Sequence, residues 1–156
     1  MNTVLTHKLP WRVTVAIVGL LALPAQTANW DMSEDAFDAA QGGVQIKGWL
    51  ASREDQDVAL GGYACRGCQQ PLPFVYLYLP QGHEGEDTYP MVVNGRTIMV
   101  QEESGDTPGV VTDQVPINDS DADWLAQQVI HDRPITLSIG RQVWHFANRD
   151  GHRFVR

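Results

Sequence analysis

The segment MVVNGRTIMVQ, residues 91–101, places Asn94-Gly95 between two runs of β-forming residues. Asn-Gly tolerates the positive φ angles of a type I′ turn, whose twist matches two antiparallel strands. A hairpin here commits the chain to antiparallel β structure, and other segments repeat the theme. VQIKGWLAS (44–52) alternates Val44, Ile46 and Gly48 against Gln45, Lys47 and Trp49, the period of a strand with one buried face. REDQD (53–57) follows as a charged turn. PFVYLYL (73–79) is apolar on both faces, which predicts a central strand covered on each side, with Pro71, Pro73 and Pro80 limiting its extent.

Two or three strands close the chain: ITLSI (135–139), QVWHFA (142–147) and, after the turn NRDG, HRFV (152–155). In QVWHFA the period of two aims Trp144 and Phe146 at the core and leaves Arg141, His145 and Arg153 on the outer face. Two short helices are predicted. SEDAFDAAQGG (33–43) carries a capping Ser33, acids at Glu34 and Asp35, and a Gly42-Gly43 stop. SDADWLAQQVIHD (120–132) has Asp119 or Ser120 as its cap, a stripe of Trp124, Leu125, Gln128 and Val129, and Pro134 beyond its end. The expected fold class is α+β, mostly antiparallel, with about six or seven strands in a sandwich or partial barrel and two short helices. Strict βαβ alternation is absent, which argues against a doubly wound parallel sheet.

The N-terminal residues bear on location. MNTVLTHKLPWR carries Lys8 and Arg12 without an acid, VTVAIVGLLAL follows as an apolar run, and PAQTA supplies small residues before a cut after Ala25 or Ala28. This is the layout of a secretory signal peptide. An uncleaved anchor is the alternative, but the run falls short of the roughly 20 residues that cross a bilayer. The expected organisation is a signal peptide at 1–28 and one mature domain at 29–156, in the periplasm or secreted, with no membrane span after cleavage.

Charge excludes some partners. Nine bases against 19 acids leave the mature part at −10. Such a field repels nucleic acid and anionic membrane surfaces. From Arg133 to Arg156 the balance reverses, with five arginines against the single acid Asp150. The two regions either attract one another within the fold or present a patch to an anionic partner.

Cys65-Arg66-Gly67-Cys68 admits several chemistries. A thiol–disulfide oxidoreductase needs a helix start behind the first thiol, and Pro71 and Pro73 oppose one. A c-type haem needs His where Gln69 stands. Zinc or copper could use Cys65, Cys68 and His83, with His131, His145 and His152 as further candidates, yet this is half of a motif. A structural disulfide between Cys65 and Cys68 suits an exported chain with an even cysteine count.

Catalytic patterns are weak. Ser33, Ser52, Ser104, Ser120 and Ser138 lie in no G-x-S-x-G elbow, and NDSDAD lacks the glycine and glutamate of an EF-hand loop. Carboxylates are plentiful, but a glycosidase needs two at a defined separation that sequence spacing does not establish. No phosphate-cradling glycine motif precedes a Lys-Ser or Lys-Thr pair. Trp30 has no evident place in a core; it either anchors a partner or folds back on the domain. The expectation is an exported binding or accessory protein, without cofactor, whose partner is an envelope or extracellular protein or a small ligand. Its binding elements are expected in two loops, QGHEGEDTYP (81–90) and EESGDTPGVVTDQ (102–114). The alternatives are a metal-binding protein and a redox enzyme.

Overall fold

Nine strands, one α-helix and one 3-10 turn follow one another in the computed structural model, which describes residues 29–37, 43–69, 72–83, 87–104 and 111–156. The strands are β1 (Asp31–Phe37), β2 (Gly43–Ala51), β3 (Ala59–Arg66), β4 (Phe74–Tyr78), β5 (Thr88–Val93), β6 (Arg96–Ser104), β7 (Val111–Pro116), β8 (Ile135–Ile139) and β9 (Gln142–Phe146). Helix α1 (Asp119–Ile130) lies between β7 and β8, and the 3-10 turn (Gly151–Phe154) follows β9. All nine strands join one sheet in the order β1-β2-β3-β4-β7-β6-β5-β8-β9, and each pairing is antiparallel. The predicted signal peptide lies outside the described residues. No helix among them is long and apolar enough to cross a membrane.

The Asn94-Gly95 hairpin forms as expected, with φ of 48° and 82° at its two turn residues. It joins β5 to β6 in unbroken register from Val93↔Arg96 to Thr88↔Gln101. Period-two alternation then sends one face inward. Ile46, Leu60, Leu77, Met91, Ile98, Val100, Leu137 and Phe146 are all buried there. Trp144 joins them, so both rings of QVWHFA face the core, while Arg141, His145 and Arg153 are exposed. Helix α1 covers this face with Leu125, Ala126 and Val129.

Several expectations fail in instructive ways. The segment predicted as a first helix, 33–43, contributes strand β1 instead, and residues 38–42 lie outside the described residues. Ser33 caps nothing there; it pairs in register with Lys47. A weak capping signal lost to seven antiparallel pairs along β2, from Asp31↔Trp49 to Phe37↔Gly43. The acids that suggested a helix start now charge an edge strand, where they oppose further strand pairing. HRFV is not a strand either, because residues 151–154 wind into the 3-10 turn. Among the described residues there are nine strands and one α-helix rather than six or seven strands and two helices: β1 replaces the predicted first helix, β3 was not foreseen, and β7 forms within the segment expected as a loop.

The helix that does form is capped one residue earlier than expected. Asn118 Oδ1 accepts from the Asp121 amide at 2.9 Å, and Asn118 Nδ2 donates to Asp121 Oδ2 at 2.8 Å. The cap and the third helical residue thus hold each other, though the return bond runs to the side-chain amide of Asn118 and not to its backbone N–H. Arg96 adds a 2.6 Å ion pair to Asp121 and lies over the Trp124 ring at 4.8 Å, tying α1 to the hairpin strand β6.

The far ends of the sheet meet. The Trp30 amide, just before β1, donates to Asp150 after β9 at 3.0 Å. The Arg53 amide, just after β2, donates to the His145 carbonyl on β9 at 2.9 Å. Trp30 therefore folds back: it is 2 % exposed and packs edge-on against Phe154, ring centroids 4.9 Å apart. Phe154 in turn reaches Gly48 and Gly62, where an added Cβ would strike its ring. Side-chain-free positions on β2 and β3 let the last turn of the chain close over the core.

Candidate functional site

The face of the sheet opposite the core is not bare. Strand β4 is apolar on both faces, as its sequence suggests, but the described residues seal only one of them. Val75 and Leu77 are buried in the core, whereas Phe74, Tyr76 and Tyr78 remain half-buried on the other side. The expectation of a second covering layer is thus corrected: α1 packs on the core face, and the other face forms the wall of a groove.

This groove has a volume of about 590 Å³. Its aromatic wall comes from Trp49 on β2, Tyr63 on β3, and Phe74 and Tyr76 on β4. Register places them. Gly61 lies between Trp49 on one side and Tyr76 on the other, and Tyr63 lies between Lys47 and Phe74. A Cβ at Gly61 would strike the Tyr76 ring, so the absence of a side chain lets that ring lie flat across the sheet. Tyr63 and Phe74 stack at 5.0 Å between centroids, and Trp49 meets Tyr78 at 4.9 Å. Trp49 and Tyr63 are nonetheless 37 % and 45 % exposed. Large rings left open to water within one concavity are the usual material of a binding surface.

Charge frames the rings. Asp31 and Ser33 on β1 line one end of the groove, and Glu103 on β6 with Asp113 on β7 line the other. Glu103 and Asp113 are directly opposite in the β6–β7 register, an arrangement of like charges that works against strand pairing. A register shift between Glu103 and Ser104 follows immediately. Burial, and then the negative charge of Glu103, raise the Tyr63 phenol above its ordinary value of 10.0. Among the described residues that line the groove, Lys47 is the one cation.

The cysteine pair lies at the end of β3, on the groove's side of the sheet, with Cys65 opposite Gln45 of the groove lining. The two sulfurs are at bonding distance and their Cα atoms are 5.4 Å apart. Gly67 takes φ of 89°, and the Cys68 amide points back to the Cys65 carbonyl at 3.4 Å, so the four residues close a tight turn with glycine at its left-handed position. Both sulfurs pack on Gly43 at the start of β2, 3.0 Å from where a Cβ would stand.

His83 is not beside them. In the β3–β4 register Tyr63 pairs with Phe74 and Ala59 with Tyr78, so Cys65 and the residues after Tyr78 leave the strand pair at opposite ends, about 20 Å apart. There the His83 ring stacks on Tyr89 at 3.8 Å, and its amide donates to Glu102. Gln114, fully buried, donates to Glu102 at 3.1 Å and accepts from the Tyr89 hydroxyl. Burial and the nearby Glu102 charge raise the Tyr89 phenol strongly. This chain of polar side chains latches the segment after β4 onto β5, β6 and β7. His131, His145 and His152 are also dispersed: His131 bonds the Gln127 carbonyl, His145 pairs with Glu54, and His152 pairs with Asp132. No group of three His, Cys, Asp or Glu side chains stands ready to hold a metal ion among the described residues.

The two loops expected to bind have their centres, 84–86 and 105–110, outside the described residues. The second segment still supplies Glu103 and Asp113, as strand residues. The aromatic wall was missed although its signal was present. Residues 74–78 are apolar on both faces, and the one α-helix among the described residues covers only one of them. No protein-family model matches this chain, no curated protein is significantly similar to it, and no solved structure matches its fold.

Proposed function

We propose that this is an exported binding protein that takes up a small ligand in the aromatic groove on the outer face of its sheet. The observation that carries this reading is the exposure of Trp49 and Tyr63 inside one concavity of about 590 Å³. That volume falls within the range of small-molecule sites, and its walls combine flat apolar surface with a few polar groups, the usual makeup of such sites. The sheet acts as a partial barrel with α1 closing its core side, so the groove sits on a rigid surface. Cys65 and Cys68 act as a disulfide staple that shapes the turn at one end of the groove and performs no reaction. Export, through residues 1–28, provides the oxidising surroundings in which such a bond persists.

Tryptophan fluorescence of the purified protein, titrated with a panel of small amines, sugars and peptides, tests the groove. Trp30 and Trp144 are buried, and Trp124 lies on α1, away from the groove and under Arg96, so a ligand in the groove perturbs chiefly Trp49, and Trp49→Phe should abolish the response. A ligand response that survives Trp49→Phe and Tyr63→Ala together would reject the groove as the site.

A further inference from the structure

We propose that the groove accepts a linear aliphatic polyamine, its ammonium groups paired with the two acidic ends and its methylene chain lying along the aromatic wall. This inference rests on the groove being the binding site and adds the chemistry of what fills it. Asp31 stands at one end, Glu103 and Asp113 stand at the other, and the rings of β2, β3 and β4 lie between. Three carboxylates against Lys47 leave the lining two charges negative. A monoamine meets only one end of that field, and a neutral ligand leaves it unanswered.

From β1 to β7 the sheet order runs through four strand spacings and β6 lies one further, so across a flat sheet Asp31 stands about 19 Å from the strand of Asp113 and about 24 Å from that of Glu103. The twist of the sheet and the length of the carboxylate side chains shorten the gap that an extended polyamine must span. Alkylammonium groups are attracted to the faces of Trp, Tyr and Phe, and their methylene stems bury apolar ring surface at the same time. A cation between Glu103 and Asp113 would also relieve the like-charge register of β6 and β7. Tyr63, whose hydroxyl feels Glu103, would lie under that end of the ligand. Beyond the groove, the acidic surface of the whole chain draws polycations toward it.

The test is isothermal titration of the full protein with spermine, propylamine and cellotetraose, each at low and high salt. Spermine is expected to bind at one per chain, propylamine at least tenfold more weakly, and cellotetraose not at all. Glu103→Gln combined with Asp113→Asn should weaken spermine by about tenfold, with folding confirmed by circular dichroism. Tyr63→Ala should weaken it as well, which a diffuse acidic surface would not reproduce. Binding of cellotetraose without spermine would overturn the polyamine and leave the groove standing as a sugar site. Spermine binding that ignores both the acid and the Tyr63 variants would overturn it as nonspecific. No binding of any of the three, with the Trp49 response absent across the wider panel, would remove the groove reading itself.

Discussion

Trp30 Nε1 donates to Asn148 Oδ1 over 2.7 Å, joining two buried side chains 118 positions apart in the chain. The other end of the same amide is saturated. Asn148 Nδ2 reaches the carbonyls of Val129 at 2.8 Å, Arg133 at 3.1 Å and Gln128 at 3.3 Å. One side chain thus fastens the entry to β1, the end of α1 and the approach to β8. Asn148→Ala leaves the indole N–H without its partner in a dry site and takes one donor from the carbonyls of Val129 and Gln128, which keep the amides of Asp132 and Arg133. A loss of about 3 kcal/mol is expected in chemical denaturation, and Asn148→Asp should not restore it, because a carboxylate cannot donate to three carbonyls.

Gly48 tells the same story through volume. A Cβ there would stand 3.0 Å from Trp30 Cε3 and closer still to the Phe154 ring. Gly48→Ala should cost about 1–3 kcal/mol, the range for overpacking a filled core. Adding Phe154→Leu should recover part of that loss. A double-mutant cycle showing simple additivity would disprove the contact.

The cysteine pair yields a stability prediction with a functional control. Replacing Cys65 and Cys68 by serine opens a loop of only four residues, so the loss should be small, about 2 kcal/mol by chain entropy. The ligand response of Trp49 should persist, because no ring of the groove depends on the bond. A thiol count on the purified protein checks the premise, with no free thiol expected.

Glu54 predicts an acid-side dependence. Burial by itself would raise its carboxyl, but the His145 amide at 2.7 Å, the His145 ring at 2.5 Å and their attraction outweigh it and hold the carboxyl below its ordinary value of 4.5. A carboxyl depressed in the folded state contributes stability above its unfolded value and loses it as pH falls through the folded one. The stability gap between wild type and Glu54→Gln should therefore be present at pH 6 and shrink in acid below pH 4.5. A gap that does not change across that window would show that the pair has no such linkage.

Tyr63 offers a direct readout of the groove's field. Its phenol should ionise above pH 10 in an ultraviolet titration, since burial and then Glu103 both disfavour the phenolate. Glu103→Gln should lower the midpoint part of the way, leaving the contribution of burial. An unchanged midpoint would place Glu103 outside the reach of that ring.

Much of this protein was decided locally. The Asn94-Gly95 turn, the alternation in residues 44–50 and 142–146, and the apolar stripe of 119–130 each satisfy their own backbone and bury their own face, so short-range chemistry determined them. Other features depended on partners far along the chain. Residues 31–37 became a strand because β2 offered a free edge, and that pairing outweighed a capping signal worth little by itself. Residues 152–154 became a tight turn because Phe154 found space over Gly48 and Gly62. Alternation puts Trp49 on the polar face of its strand, but nothing in the sequence brings it beside Tyr63 and Tyr76. Only the order β1-β2-β3-β4-β7-β6, with α1 spent on the opposite face, left them uncovered between Asp31 and the Glu103–Asp113 pair. Periodicity assigns a side chain to a face, but which face receives a covering layer is a property of the assembled sheet.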